Sequence, residues 1–176
     1  MRSAAKAVNF GIVYGISDFG LARNLGVSRK EAAGYIERFF ERYPLVHAYM
    51  DKNIAMAKSQ GYVQTLYLRR RYIPEIQSGN YNTRSFGERV AMNAPLQGTA
   101  ADIIKLAMVS VAQALKAEKM GSKLILQVHD ELILDAPESE AQRAGELLKT
   151  CMQGVAQLCV PLLVEVKKAK NWQDAK

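Results

Sequence analysis

Two apolar runs, Lys123–Val128 and Glu131–Asp135, are separated by only His129 and Asp130. Strands joined by two residues can only double back, so 123–135 is predicted to be a tight antiparallel hairpin with a polar tip. Parallel neighbours would need a crossover of about a dozen residues or more. A second strand-like run, Tyr62–Tyr67, alternates in polarity and is followed by Arg69, Arg70 and Arg71, then Tyr72-Ile73-Pro74. It reads as another hairpin with an arginine-rich turn. Strand pairs set among helices, without strand–helix–strand alternation, predict an α+β fold: a small antiparallel sheet backed by long helices.

The helices follow from periodicity and caps. The first is expected to end near Gly15-Ile16. Ser17-Asp18 should cap a short second helix that stops at Gly26. Ser28 with Glu31 forms a capping box, opening a helix with Tyr35, Ile36, Phe39 and Phe40 as its buried stripe and Pro44 as its end. Another is expected over Val46–Gln60, stopped by Gly61. His47 at its start reads as a surface residue. Residues 77–83 read as a loop. A helix from Arg84 is expected to break at Pro95, and a long alanine-rich one to run from Leu96 to Lys119, with Ile103, Ile104, Ala107, Met108 and Val111 inward and Gly121 as the stop. A last helix, begun by Pro137 and Ser139, should reach toward Leu158, and Leu162–Val166 is predicted as an edge strand.

At 176 residues one domain is the prior. The net charge of +7 and pI near 9.4 favour an anionic partner. Cys151 and Cys159 match neither a zinc spacing nor a disulfide framework and are expected to be buried free thiols in a reducing cytoplasm. No unbroken apolar run approaches the ~18 residues of a membrane span, and the charged N-terminal stretch does not read as a signal peptide, so no membrane partner is expected.

The chemistry concentrates at two places. Arg2, Lys6, Phe10 and Tyr14 recur every fourth residue, so in a helix they climb one face: two cations near the N-terminus, then two aromatics. A helix N-terminus already attracts anions, which makes the cations suited to a polyphosphate and the flat rings to a sugar and base. The plain alternative is a basic surface helix with core aromatics. At the hairpin tip, His129-Asp130-Glu131 puts carboxylates on a rigid support open to solvent, and magnesium favours one or two carboxylates plus substrate phosphates. The plain alternative there is a turn aspartate.

Arg2-x3-Lys6-x7-Tyr14-Gly15 resembles motif B of the DNA polymerase I family (family A), and Gln127-Val-His129-Asp130-Glu131 resembles its motif C. Asn93-Ala-Pro-Leu-Gln97-Gly-Thr-Ala-Ala-Asp102 matches the family between them. The resemblance extends from Arg2 to Asn171-Trp172. It implies a partial polymerase domain, with fingers-like helices over 1–61 and a palm-like part over 62–176, that takes primer–template DNA and deoxynucleoside triphosphates. It further implies two-metal nucleotidyl transfer with two Mg2+ ions, in which Asp130 binds metal and Glu131 supports the metal site. Lys6 and Arg2 would neutralise the triphosphate, Lys6 also serving as proton donor to pyrophosphate. Phe10 would lie beside the sugar, where phenylalanine discriminates against dideoxynucleotides, and Tyr14 near the nascent pair. His129 would position the primer end, and Arg89, Asn93 and Gln97 would reach the minor groove. In a basic chain with these motifs Arg70 and Arg71 are expected to contact DNA phosphates, the plain alternative being a solvated arginine face. Ser3 stands where many relatives carry an arginine, and Lys167-Lys168-Ala169-Lys170 is more basic than the family pattern.

The family's other metal-binding aspartate, in motif A, precedes motif B and has no counterpart after Met1. The expectation is therefore a C-terminal portion that does not extend primers without the remaining N-terminal part or a companion chain, and that exposes an apolar sheet edge and face. A phage-type single-subunit RNA polymerase shares the Lys-to-Tyr-Gly helix and is the nearest alternative enzyme. A non-catalytic nucleotide- or nucleic-acid-binding module is the alternative from another class. A bacterial cytoplasm or nucleoid is the expected location.

Overall fold

A computed structural model describes residues 2–175, with the side chains of Arg2, Ser3, Ala4 and Ala7 outside the description. The chain divides into two compact units, Met1–Thr99 and Ala100–Lys176. The boundary after Gly61 expected from the sequence falls inside the first unit.

The first unit holds α1 (Arg2–Val13), α2 (Asp18–Leu25), α3 (Arg29–Arg42), α4 (Pro44–Gln60), the hairpin β1 (Tyr62–Gln64) and β2 (Arg70–Tyr72), a 3₁₀ turn at Pro74–Gln77, and the start of α5 (Tyr81–Ala117). Local chemistry sets these boundaries. The Ser17 hydroxyl accepts from the Gly20 amide, and Gly26 closes α2 in the left-handed conformation. Ser28 and Glu31 complete the capping box of α3. Leu21, Ala22 and Ala32 form one small core, and Ala57, Val63, Ile73, Ile76 and Ala91 another.

Strand β1 stops at Gln64, short of Tyr67, and Tyr81–Thr83, expected in a loop, already belong to α5. Three further expectations for this unit change. Pro44 opens α4 at its first turn, where its missing N–H costs nothing, instead of closing α3. The α3 stripe is only partly buried: Ala32 is its buried residue, while Tyr35 is 38% exposed with the Arg38 guanidinium 5.1 Å from its ring centroid. Arg70 and Arg71 lie on β2, so they form a strand and not the turn, which is made by Leu66–Leu68. His47 is exposed as expected, stacked on Phe40 with centroids 4.2 Å apart.

The second unit contains the rest of α5, the hairpin β3 (Lys123–Val128) and β4 (Glu131–Asp135), and α6 (Ala141–Gly154). Its core joins Ala107, Val111 and Leu115 of α5 to Leu132 of β4 and to Leu147 and Leu148 of α6. The strands pair from Lys123↔Asp135 to Val128↔Glu131, with a register shift between Leu124 and Leu126. Glu140 fixes the entry to β3: its carboxylate accepts from the Gly121 and Ser122 amides at 2.9 Å each and from the Ser122 hydroxyl at 2.7 Å.

Pro95 does not break α5, which runs as one helix of 37 residues. Left-handed Lys119 (φ 53°) follows the end of α5, so the stop precedes Gly121. Helix α6 ends at Gly154, short of Leu158, and lacks a side-chain cap, so Ser139 does not start it. Leu162–Val166 forms no strand; an edge strand requires a pairing partner that its own sequence cannot reveal. Cys151 is half-buried and Cys159 exposed, both as free thiols. Averaged over eighteen residues, α5 reaches a mean hydropathy of 1.3, and is the described helix long and apolar enough to cross a membrane. Its apolar residues nonetheless supply the core of the second unit.

Candidate nucleotide, nucleic-acid and metal-binding residues

Lys6, Phe10 and Tyr14 form a ladder along α1 and just past its end. The Lys6 Nζ lies 5.7 Å from the centroid of the Phe10 ring. Phe10 and Tyr14 are nearly parallel, 17° apart in plane, with centroids 6.4 Å apart. Phe10 is 54% exposed and Tyr14 47%, so this is a solvent-facing aromatic surface and not a core stripe. The Arg2 side chain lies outside the described residues.

Directly after the ladder the backbone turns through Gly15 at φ 76°. A Cβ there would sit 2.3 Å from the Met92 Cε and 3.2 Å from the Arg89 Cγ, so only glycine lets α5 approach this closely. The same approach places the Asn93 amide 3.5 Å from the Tyr14 carbonyl oxygen, at the long limit of a hydrogen bond, and 2.8 Å from that of Arg89, to which it donates. Arg89 donates to the Ser85 hydroxyl at 2.9 Å. Tyr14, Arg89 and Asn93 are thus one neighbourhood, and the exposed Gln97 follows one helical turn along α5. Met92 was not legible as a site residue: it reads as an ordinary core position, and only the structure shows that it fixes the approach to Gly15.

On the first hairpin, the Arg70 guanidinium stands 4.6 Å from the Tyr62 ring centroid. A hydrogen bond with the Tyr72 side chain, above all, holds its proton more firmly than usual. Arg70 and Arg71 are both exposed.

In the second unit, His129 occupies the first turn position at φ 54°, the sign that a two-residue turn of the primed kind demands there. The Gln127 amide donates to the His129 carbonyl oxygen at 2.6 Å, tying the turn to its own strand. His129, Asp130 and Glu131 are exposed, and both carboxylates border an open groove of about 1250 Å³ that reaches α6 and the segment around Leu163–Trp172. Among the described residues, no three His, Cys, Asp or Glu side chains cluster as a metal site. Asp130 and Glu131 therefore fit a partial donor set, the kind magnesium accepts when phosphates and water complete its shell, and not an all-protein cage. Gln127 carried no sequence signal for its clamp beyond the two-residue spacing to His129.

The model of DNA polymerase family A matches residues 1–174. The chain belongs to DNA polymerase family A. It is 55% identical over its whole length to a DNA polymerase I of Caldicellulosiruptor bescii and 56% identical to that of Bacillus caldotenax. It spans about a fifth of those relatives: 21% of the first and 20% of the second. Among solved structures it is similar to the polymerase domain of Pol1 from M. smegmatis in complex with DNA primer–template and dNTP, at 41% identity and a TM-score of 0.95, covering 99% of this chain and 31% of that one. The mixed, helix-rich fold with small antiparallel sheets is that of part of a family A polymerase domain.

Proposed function

We propose that this chain supplies the nucleotide-contact helix and the motif C carboxylates of a DNA-directed DNA polymerase, which transfers deoxynucleotides from their triphosphates to a primer 3′-hydroxyl on a DNA template. The exposed Lys6–Phe10–Tyr14 ladder carries the reading, because it orders a cation and two flat apolar surfaces as a nucleotide orders its phosphates, sugar and base. The primer–template and dNTP in the M. smegmatis complex support the choice of ligand.

In this reading the Lys6 ammonium neutralises the triphosphate and gives a proton to the departing pyrophosphate. Phe10 packs on the sugar, and Tyr14 stacks beside the nascent pair. Arg89, Asn93 and Gln97 reach the minor groove, where every correct pair presents an acceptor, so they test shape without reading sequence. His129 positions the primer end. Arg70 and Arg71 hold backbone phosphates. Asp130 and Glu131 are the residues that would hold divalent cations, Mg2+ in the first instance. Such ions, when bound, acidify the attacking hydroxyl and stabilise charge on the leaving group.

Activity belongs to a whole polymerase domain, so the test replaces the matching segment of the B. caldotenax relative with residues 1–176. The chimera is expected to extend primers with dNTPs. K6A should lower kcat by roughly a hundredfold, the scale of one general-acid contribution, and D130A should abolish extension. Full extension by the D130A chimera would overturn the reading.

A further inference from the structure

From the tip of the first hairpin we infer a duplex-DNA wedge: Leu66 and Leu68 insert against stacked base pairs while Arg70 and Arg71 hold the adjoining phosphates. This rests on the DNA reading above and adds a mode of contact to it.

Turn tips are ordinarily built from glycine, proline, asparagine, aspartate and serine. Here Leu66, Tyr67 and Leu68 are 60%, 41% and 72% exposed. Leu68 is also held at φ 63°, a region that bulky side chains rarely occupy. The tip is nonetheless fully hydrogen-bonded through buried Thr65. The Thr65 amide donates to the Arg69 carbonyl at 3.0 Å, and the Leu68 amide to the Thr65 carbonyl at 3.0 Å. The Tyr67 and Arg69 amides each donate to the Thr65 hydroxyl at 3.2 Å. The Leu66 amide donates to the Thr99 hydroxyl of α5 at 2.9 Å, and that hydroxyl donates to the Pro95 carbonyl at 2.6 Å. A Cβ on Gly98 would lie 2.6 Å from the Thr65 Cγ2. The tip is therefore a rigid apolar point seated on the turn of α5 next to Gln97.

The chemistry of the point selects its partner. Tyr67 offers the tip's single ring for stacking on a single strand, whereas its two more exposed neighbours, Leu66 and Leu68, are of the type that proteins drive between the base pairs of a duplex. Arg70 and Arg71 follow at once on β2, with Arg70 braced on Tyr62, and supply the phosphate contacts that such insertion requires.

The test measures binding of the B. caldotenax chimera carrying residues 1–176 to a short fluorescein-labelled duplex, to its single strands and to anionic lipid vesicles, with a second duplex carrying 2-aminopurine to report unstacking. Leu68→Gly is the informative variant, since glycine accepts this backbone conformation and the hairpin should remain folded by circular dichroism. Duplex affinity is expected to fall at least about tenfold, with the salt dependence unchanged because no phosphate contact is removed. The 2-aminopurine signal should disappear. R70A/R71A should instead flatten the salt dependence. Loss of duplex binding with R70A/R71A but not with Leu68→Gly would overturn the wedge and leave the DNA reading intact. Equal binding to single strands without unstacking, or binding to vesicles in place of duplex, would also overturn it. No DNA binding by the unaltered chimera would sink both.

Discussion

Gly15 is where one residue's geometry decides whether two functional elements meet. Its φ of 76° and the 2.3 Å between its built Cβ and the Met92 Cε add a steric cost to a conformational one. Gly15→Ala is expected to destabilise the chain by roughly 1–3 kcal/mol in urea melts. Because methionine is flexible, Met92→Ala in that background should recover part of the loss, a coupling readable as a double-mutant cycle. Additive losses would show that the clash is relieved elsewhere. His129 is the counterpart in the second unit. Glycine would suit that turn position better than a histidine at φ 54°. His129→Gly should leave the melting temperature equal or higher while lowering primer extension in the chimera. A lower melting temperature with unchanged extension would make His129 purely structural.

Among elements, the entry to β3 depends on a carboxylate that no strand or helix signal marks. The Ser122 hydroxyl, followed by the Gly121 amide, holds Glu140 below its usual proton affinity. A depressed carboxylate stabilises the fold above its unfolded value, and that contribution is lost as pH falls through the folded value. Glu140→Gln is thus expected to melt earlier than the unaltered chain at neutral pH, with the gap closing under acid. Glu118, lowered by its ion pair with Arg143, titrates in the same direction, so the difference between variant and unaltered chain is the proper readout. A gap independent of pH would rule the charge out. Elements governed by adjacent residues were legible in the sequence: the Ser28–Glu31 box, the Gly26 and Gly61 stops, and the two-residue hairpin at His129-Asp130. Elements governed by distant partners were not. Pro95 obeys the tertiary packing of α5 over its local preference, and Leu162–Val166 is apolar and rich in valine like a strand but finds no ladder. The candidate residues divide the same way. Lys6, Phe10, Tyr14 and Asp130 stood out by type and spacing, whereas the Asn93–Tyr14 approach joins residues 79 apart in sequence and could only be seen folded.

For the whole molecule, the unbalanced quantity is apolar surface in the second unit. Ile125 is 59% exposed and Leu126 44%, and Val160 and Leu163 reach 67% and 85%. Ile125 sits at the register shift of β3 and has no partner across the ladder, and its sheet has only two strands. An apolar face beside open strand edges favours self-association. A net charge of +7 opposes it, and salt screens that opposition within about 8 Å at physiological ionic strength. Apolar contact and ion pairing predict opposite salt responses. If apolar contact dominates, sedimentation velocity should show association rising with both protein concentration and salt, whereas association through ion pairs would fall as salt is added. Ile125→Lys combined with Leu163→Lys should restore the monomer without shifting the melt, because neither side chain belongs to the core around Val111 and Leu148. Joining the chain to the remainder of the B. caldotenax relative should suppress association as well, if that longer chain packs against this face. Association that persists in both the double variant and the chimera would place the adhesive surface elsewhere, with the Leu66–Leu68 tip as the next surface to alter.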